Sequence, residues 1–286
     1  MRSANISIIS SNLLTTTRFP IVYTEMNMDR GELFKKMMED NKPDSAGLCE
    51  VTREWLDYIV EFCNSSGVFG VTGTKRSFRP EEGPLRSGSG EYVAIMYRKD
   101  RFDCIDDGGW WYSTTPDVPS RFEIPGHDAM KYDRVFSYGV FKEKETGITY
   151  IHMNVHFDHK SDDYTNALCS KLTAEKGKEL AKRFGGAPVI VTGDFNCEEN
   201  TEAYRFLANP ENGFFDTKYE AAKMNPLPTF IWTLSDYKPE EKPGKIIDFV
   251  FGTVGNVKAM ESDVITEPHF SDHYSAISKI IVENAD

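Results

Sequence analysis

The segment Lys245-Ile246-Ile247-Asp248-Phe249-Val250-Phe251 places a carboxylate inside an apolar, strand-like run with no polar neighbour on either side. A lone carboxylate is expensive to bury. Asp248 therefore either holds a backbone amide at a strand end or pairs with another group. A histidine is a natural partner, because a carboxylate fixes both its tautomer and its ring position. Phe270-Ser271-Asp272-His273-Tyr274 supplies one at the edge of a further strand-like segment. His273 held in this way is suited to take a proton from water, with Asp272 beside it holding a metal ion's water.

Three other segments put polar groups at comparable positions. In Val189-Ile190-Val191-Thr192-Gly193-Asp194-Phe195-Asn196 an apolar strand runs into Gly-Asp-Phe-Asn. Strand ends are where open sheets expose functional side chains, and Asp194 and Asn196, two apart, point the same way on extended backbone. The competing reading is an Asx-turn closing the strand. Ile151 to His159 alternates, with Ile151, Met153, Val155 and Phe157 on one face and His152, Asn154, His156 and Asp158 on the other. The polar face is either a solvent-facing edge or part of a site. Its histidines raise zinc, but no Cys partner or H-E-x-x-H pattern supports it, so a hard metal ranks above zinc. Glu50 closes Ala46-Gly47-Leu48-Cys49-Glu50-Val51 just before a helix, where a carboxylate binds Mg²⁺ or simply favours the helix dipole. Asn12, at the end of the first strand, adds a hydrogen-bonding amide.

The elements that must position these groups follow from periodicity. Asn5–Ser11, Asp44–Cys49, Glu91–Tyr97, Asp103–Ser113, Arg134–Lys142, Ile148–Phe157, Pro188–Thr192, Ile246–Gly252 and Tyr274–Ile281 read as strands. Arg30–Asn41, Thr52–Cys63 (with Thr52 as cap) and Asp163–Phe184 read as helices. No repeat or long linker divides the chain, and both halves carry candidate residues. Two packed sheets flanked by helices, forming one domain over residues 1–286, is the expected arrangement.

Composition narrows the function. With 40% hydrophobic and 13% aromatic residues the chain can bury a large core. No apolar run reaches the ~20 residues of a membrane span. No signal-peptide pattern opens the sequence, which favours a cytoplasmic location. The five cysteines are scattered without a C-x-x-C pair and read as single buried thiols. A charge of −12 disfavours long duplex DNA as a partner. Lys75, Arg76, Arg79 and Arg86 form a local basic stretch, either a solvated loop or a lip over an anionic substrate. Trp110-Trp111-Tyr112 reads as core or cleft wall, with membrane contact as the alternative.

Asn12 after a first strand, then G-L-C-E-V, N-V-H-F-D-H, T-G-D-F-N, I-D-F-V-F and S-D-H, taken in that order, resembles the endonuclease/exonuclease/phosphatase superfamily from about Ile6 to Ile281. The resemblance implies an α/β fold, a four-layer α/β/β/α sandwich of two packed mixed sheets flanked by helices. It implies Mg²⁺-dependent hydrolysis of phosphate esters, with Mn²⁺ as the alternative ion, acting on a phosphorylated small molecule, a lipid head group or a short nucleic acid. Glu50 looks like the principal metal ligand, with Asn12 and Asp272 nearby. Asp248 resembles the group that orients His273, and Asp194 and Asn196 match residues that position water and the scissile phosphate. His156 resembles a phosphate-contacting histidine with Glu91 as its acidic partner, and Arg134 and Asn154 are expected on the substrate side. The base is either His273 held by Asp248, or Asp194. Two departures concern substrate contacts: Ser11-Asn12-Leu13-Leu14 lacks the Arg usual in the first motif, and Thr165 and Asn166 stand where many relatives carry an Arg. The alternatives are a silent scaffold of the same fold and a sphingomyelinase-like phospholipid diesterase.

Overall fold

The computed structural model describes residues 2–76, 90–127, 130–235 and 237–284. Arg79 and Arg86 of the basic stretch lie outside them, whereas Arg76 is present and paired with Glu91 at 2.8 Å.

Fifteen strands and five α-helices are described. The first sheet contains β1 (Arg2–Asn12), β4 (Ser45–Val51), β5 (Phe69–Lys75), β6 (Tyr92–Arg98), β12 (Lys223–Met224), β14 (Val257–Ile265) and β15 (Ser275–Asn284), in the order β12-β14-β15-β1-β4-β6-β5. The second contains β7 (Phe102–Trp111), β8 (Val135–Glu143), β9 (Thr149–His156), β10 (Val189–Asp194), β11 (Phe214–Asp216) and β13 (Asp248–Thr253), in the order β11-β13-β10-β9-β8-β7. Both sheets are mixed: β1 pairs parallel with β4 and β9 with β10, while β13 and β15 run antiparallel to β10 and β1. A small hairpin joins β2 (Val22–Tyr23) and β3 (Met28–Asp29).

The two-residue period of the strands assigns each side chain to a layer. In β1, Ile6 and Ile8 face the second sheet, where they meet Ile190, Val250 and Tyr150, whereas Ile9 faces outward. The outer face of the first sheet is covered by α1 (Arg30–Asn41) and α2 (Arg53–Ser66), which bury Phe34, Met37, Trp55 and Ile59. The outer face of the second is covered by α3 (Asp163–Arg183) and α4 (Glu202–Leu207), packed on Met153, Val155 and Val191. A short helix, α5 (Thr217–Glu220), lies against β13 and β14. The result is the four-layer α/β/β/α sandwich. Each large apolar side chain fully buried in these layers contributes about 1.5–3 kcal/mol. Thr52 caps α2 as its sequence position suggests, accepting from the Trp55 amide. Trp110 stacks on Tyr138 and Tyr112 on Phe136, with Tyr112 fully buried, so this cluster is core. All five thiols are free, four of them buried.

The layer between the sheets changes character along the strands. Apolar at one end, it becomes polar at Ser10, Asn12, His152, Asn154, Thr192 and Asp194, all buried. The His152 ring spans the gap, bonding Ser45 Oγ at 2.8 Å and Thr192 Oγ1 at 2.7 Å. Thr192 Oγ1 donates to Asn154 Oδ1 at 2.9 Å, and Asn154 Nδ2 donates to the Leu48 and Ala94 carbonyls at 3.0 Å each. The polar face of β9 is thus not a solvent-facing edge, because the first sheet covers it.

Burial holds the His152 imidazole down at about 3, so it stays neutral in the fold at pH values where the unfolded chain, near 6.5, takes up a proton. This contribution to stability is complete above the unfolded value and is lost as pH falls from 6.5 towards 3. Linkage makes the loss about 2 kcal/mol between pH 7 and pH 5. Urea unfolding at both pH values should therefore show wild type losing about 2 kcal/mol more than His152→Gln. Equal losses in the two proteins would remove His152 as the cause.

Candidate active site

The polar end of the inter-sheet layer opens into a cleft of about 550 Å³, lined by Glu50, His156, Asp194, Asn196, Asp272 and His273 among others. Each arrives from a strand end. β4 slips register between Leu48 and Val51, and Glu50 adopts a left-handed φ of 57°. Left-handed backbone is uncommon for residues other than glycine and concentrates at functional sites. The Thr15 amide donates to Glu50 Oε2 at 2.7 Å. The last residue but one of β10 is Gly193, whose φ is 149° and where a Cβ would lie 2.0 Å from the Val155 carbonyl oxygen. Only glycine fits there, and it delivers Asp194 to the cleft floor. Asn196, also left-handed at 47°, donates its amide N–H to Asp194 Oδ1 at 2.9 Å.

Asp194 pairs in register with Asp248 on β13, and two carboxylates on adjacent strands require compensation. Asp248 Oδ2 bonds His273 Nδ1 at 2.8 Å. Thr229 Oγ1 accepts from the backbone amides of Ile247 and Asp248 at 3.1 Å each. Asn12 Nδ2 bridges Asp194 Oδ2 at 3.0 Å and Glu50 Oε1 at 3.2 Å. The Nε2 atoms of His156 and His273 lie 3.6 and 3.9 Å from Asp194 Oδ2.

These neighbours separate the protonation states. Burial first, then the Asp248 charge, push the Asp194 carboxyl up to about 7 against the pull of His273. Burial alone would discharge His273, but the Asp248, Asp194 and Asp272 carboxylates outweigh it and hold the ring cationic, at about 10. Asp272 is raised by burial and by the charge of Glu50. His156 moves the opposite way, well below its ordinary value, through burial and then the guanidinium groups of Arg134 and Arg76.

Five expected residues, Asn12, Glu91, Arg134, Asn154 and Asp248, are not among those lining the cleft. Asn154 has its whole amide engaged between the sheets, so it does not reach a substrate. Glu91 pairs with Arg76, and the group facing His156 Nδ1 is Arg134, whose Nη1 stands 2.9 Å away. Arg134 is itself buried behind that histidine. Asn12 also differs from a simple ligand: its Oδ1 accepts from the Leu14 amide, leaving the nitrogen to face the carboxylates. Sequence reasoning missed Arg30, read only as the first residue of a helix. It is fully buried, donates to the carbonyls of Phe270 at 2.9 Å and Leu14 at 2.6 Å, and also reaches Leu13 and Phe19. One guanidinium thereby ties the chain after β1 to the residue two before Asp272. Phe230, Trp232 and Lys245 on the cleft wall were missed as well. Their segment has no regular period to draw attention to it.

No protein-family model matches the sequence, and no curated protein matches it. Solved structures do. An endonuclease/exonuclease/phosphatase from Bacteroides vulgatus superposes with a TM-score of 0.81 at 21% identity, covering 98% of this chain and 100% of that one. A mannosyl-6-phosphatase from Bacteroides thetaiotaomicron gives 0.76 at 23%, covering 96% and 99%. The human nocturnin catalytic domain, holding a sulfate anion, gives 0.71 at 16%, covering 98% and 96%. The fold is that of the endonuclease/exonuclease/phosphatase superfamily.

With a guanidinium donor at Nδ1, the neutral His156 ring must carry its proton on Nε2, facing the cleft. Long-range proton–nitrogen NMR of the histidine rings should show the Nε2–H tautomer for His156, still neutral at pH 6. An Nδ1–H tautomer or an imidazolium at that pH would contradict this arrangement.

Proposed function

We propose that this chain is a divalent-metal-dependent phosphoesterase that cleaves its substrate by in-line attack of water, with residues 1–286 acting as one catalytic domain. The observation that carries the reading is the 2.8 Å Asp248–His273 pair facing Asp194 across adjacent strands, beside the further carboxylates of Glu50 and Asp272. The named activity of the mannosyl-6-phosphatase and the sulfate held by nocturnin support a site for a tetrahedral anion.

The donor set fits a hard cation. Glu50 and Asp272 offer oxygen ligands, as Mg²⁺ or Mn²⁺ prefers, and burial, with the Glu50 charge adding to it, raises Asp272. Asp194, Asp248 and His273 also bring one ligand atom each within 4.8 Å of one another. There, however, Asp248 Oδ2 and His273 Nδ1 are committed to each other. Glu50 and Asp272 are therefore the residues that would hold the ion, with Asn12 steadying Glu50. When bound, the ion supplies Lewis-acid stabilisation of the phosphoryl oxygens.

The chain's own groups then divide the work. The Asp248, Asp194 and Asp272 carboxylates, against the pull of burial, raise His273 above its ordinary value; this favours its protonated form, and in this reading it donates from Nε2 to a phosphoryl oxygen. Asp194, with a pKa near neutrality, takes the proton from the attacking water. His156 offers a second Nε2–H, and together the two rings stabilise charge that grows in the transition state. Asp248 keeps His273 oriented, and Asn196 holds Asp194 through its backbone amide.

Hydrolysis of p-nitrophenyl phosphate and of bis-p-nitrophenyl phosphate tests the reading. Asp194→Asn and His273→Gln should each lower kcat by about 10²–10⁴-fold, with the far-UV circular dichroism of wild type. EDTA should abolish turnover and added Mg²⁺ restore it. Turnover near wild type in either folded variant, or no turnover of any phosphate ester with Mg²⁺ or Mn²⁺, would overturn the proposal.

A further inference from the structure

The Asp248–His273 pair joins two layers of the sandwich. Asp248 opens β13 in the second sheet, whereas His273 stands two residues before β15 in the first. The two strands share no ladder, so the 2.8 Å contact between Oδ2 and Nδ1 depends on how these segments are spaced at this end. A misplacement of 1 Å is enough to cost a catalytic group about 10²-fold in rate.

The irregular segment Thr229–Ile231 lies between the two and is bonded to both. On one side the Thr229 and Phe230 amides donate to the Lys245 carbonyl at 2.9 Å each, and the Lys245 amide donates back to the Phe230 carbonyl at 2.9 Å. On the other, the Tyr274 amide donates to the Thr229 carbonyl at 2.6 Å, and the Ile231 amide to the Asp272 carbonyl at 2.9 Å. These bonds hold the backbone on either flank of His273 but stop short of Asp248. The Thr229 side chain covers that remaining distance. Its Oγ1 accepts from the Ile247 and Asp248 amides at 3.1 Å each. A hydroxyl has two acceptor lone pairs, and here consecutive amides take both, while its proton faces the Lys245 carbonyl at 3.5 Å. The Phe230 ring, 4.8 Å from the His273 ring, packs against the imidazole. Thr229 is itself buried and does not line the cleft, so its hydroxyl serves the chain rather than a ligand.

We propose that Thr229 is a positioning residue for the Asp248–His273 pair. Its hydroxyl fixes the backbone of Asp248 and its carbonyl fixes the backbone beside His273, so that carboxylate and imidazole meet at bonding distance with Nε2 aimed into the cleft. The kinetic consequence rests on the proposed phosphoesterase activity; the placement of the pair does not.

Thr229→Val keeps the branched shape and the backbone bonds but removes the acceptor, whereas Thr229→Ser keeps it. With p-nitrophenyl phosphate and Mg²⁺, Thr229→Val should lower kcat by about 10–10²-fold. KM should stay near wild type, since no binding contact is lost. Thr229→Ser should recover most of the loss. In proton NMR the His273 Nδ1–H, bonded to Asp248, should resonate far downfield in wild type and in Thr229→Ser, and should move upfield or vanish by exchange in Thr229→Val. Thr229→Ala replaces the valine variant should that one fail to fold. Hydrogen exchange in wild type needs no variant at all: the Ile247 and Asp248 amides should exchange slowly. Wild-type kcat and resonance in the folded valine or alanine variant, equal losses with serine, or rapid exchange of both amides would each overturn the inference. If wild type cleaves no phosphate ester, the phosphoesterase reading falls, and the resonance and exchange still decide whether Thr229 places the pair.

Discussion

Four carboxylates, from Glu50, Asp194, Asp248 and Asp272, share one end of this molecule, and the architecture there is dominated by the need to keep them together. Like charges at such spacing repel, and burial strengthens the repulsion by removing water. The chain answers with three devices. Asn12 places one amide between two of the carboxylates, His273 inserts a cation among three, and the Arg30 guanidinium lies deeper, compensating Asp272 and Glu50. Burial drags Arg30 down to about 10, but those carboxylates oppose the fall.

The sheets make this assembly affordable by grading their interface. Where Ile6, Ile8, Ile190 and Val250 meet, ordinary apolar packing holds the two layers together. A few residues further along the same strands, that packing gives way to Ser10, His152, Asn154 and Thr192, whose bonds cross from sheet to sheet. Gly47 shows how tight the crossing is: a Cβ there would sit 2.0 Å from Thr192 Oγ1. The polar seam lets the strands continue towards the charged end without an abrupt step from hydrocarbon to carboxylate.

Much of this was legible in the sequence. The strand and helix periods gave most elements to within a few residues, and α3 was expected over Asp163–Phe184 against Asp163–Arg183 observed. Asp248 in its apolar strand correctly pointed to His273, because a buried charge demands a partner wherever that partner lies in the chain. What periodicity cannot say is what covers a face. The alternation of β9 put His152, Asn154 and His156 on one side, but nothing in those residues distinguished solvent from a second sheet, and Asn154, expected on the substrate side, lies under that sheet. The partner of His156 was misread for a related cause. An acidic residue was expected, and Glu91 was available, but the competing Arg76 lay in a segment with no regular pattern. Arg30 was invisible because its contacts are to carbonyls, which every residue carries.

Burial alone does not mark a polar group as functional. Asp158 is fully buried and chemically unremarkable: its oxygens accept from the amides of Lys131, Tyr132 and Lys160, and it serves to fix the loops around the cleft. Asn154 and His152 are likewise satisfied. Asp248 Oδ1, Arg134 Nε, Ser161 Oγ and Asn166 Oδ1 have no such partners, and all four lie in the cleft or directly behind the histidines that face it. Leaving a buried polar atom unpaired costs about 1–3 kcal/mol. Four of the seven such atoms among the described residues stand at one cleft or behind its histidines, whereas Trp111 Nε1 and Asn284 Oδ1 lie elsewhere.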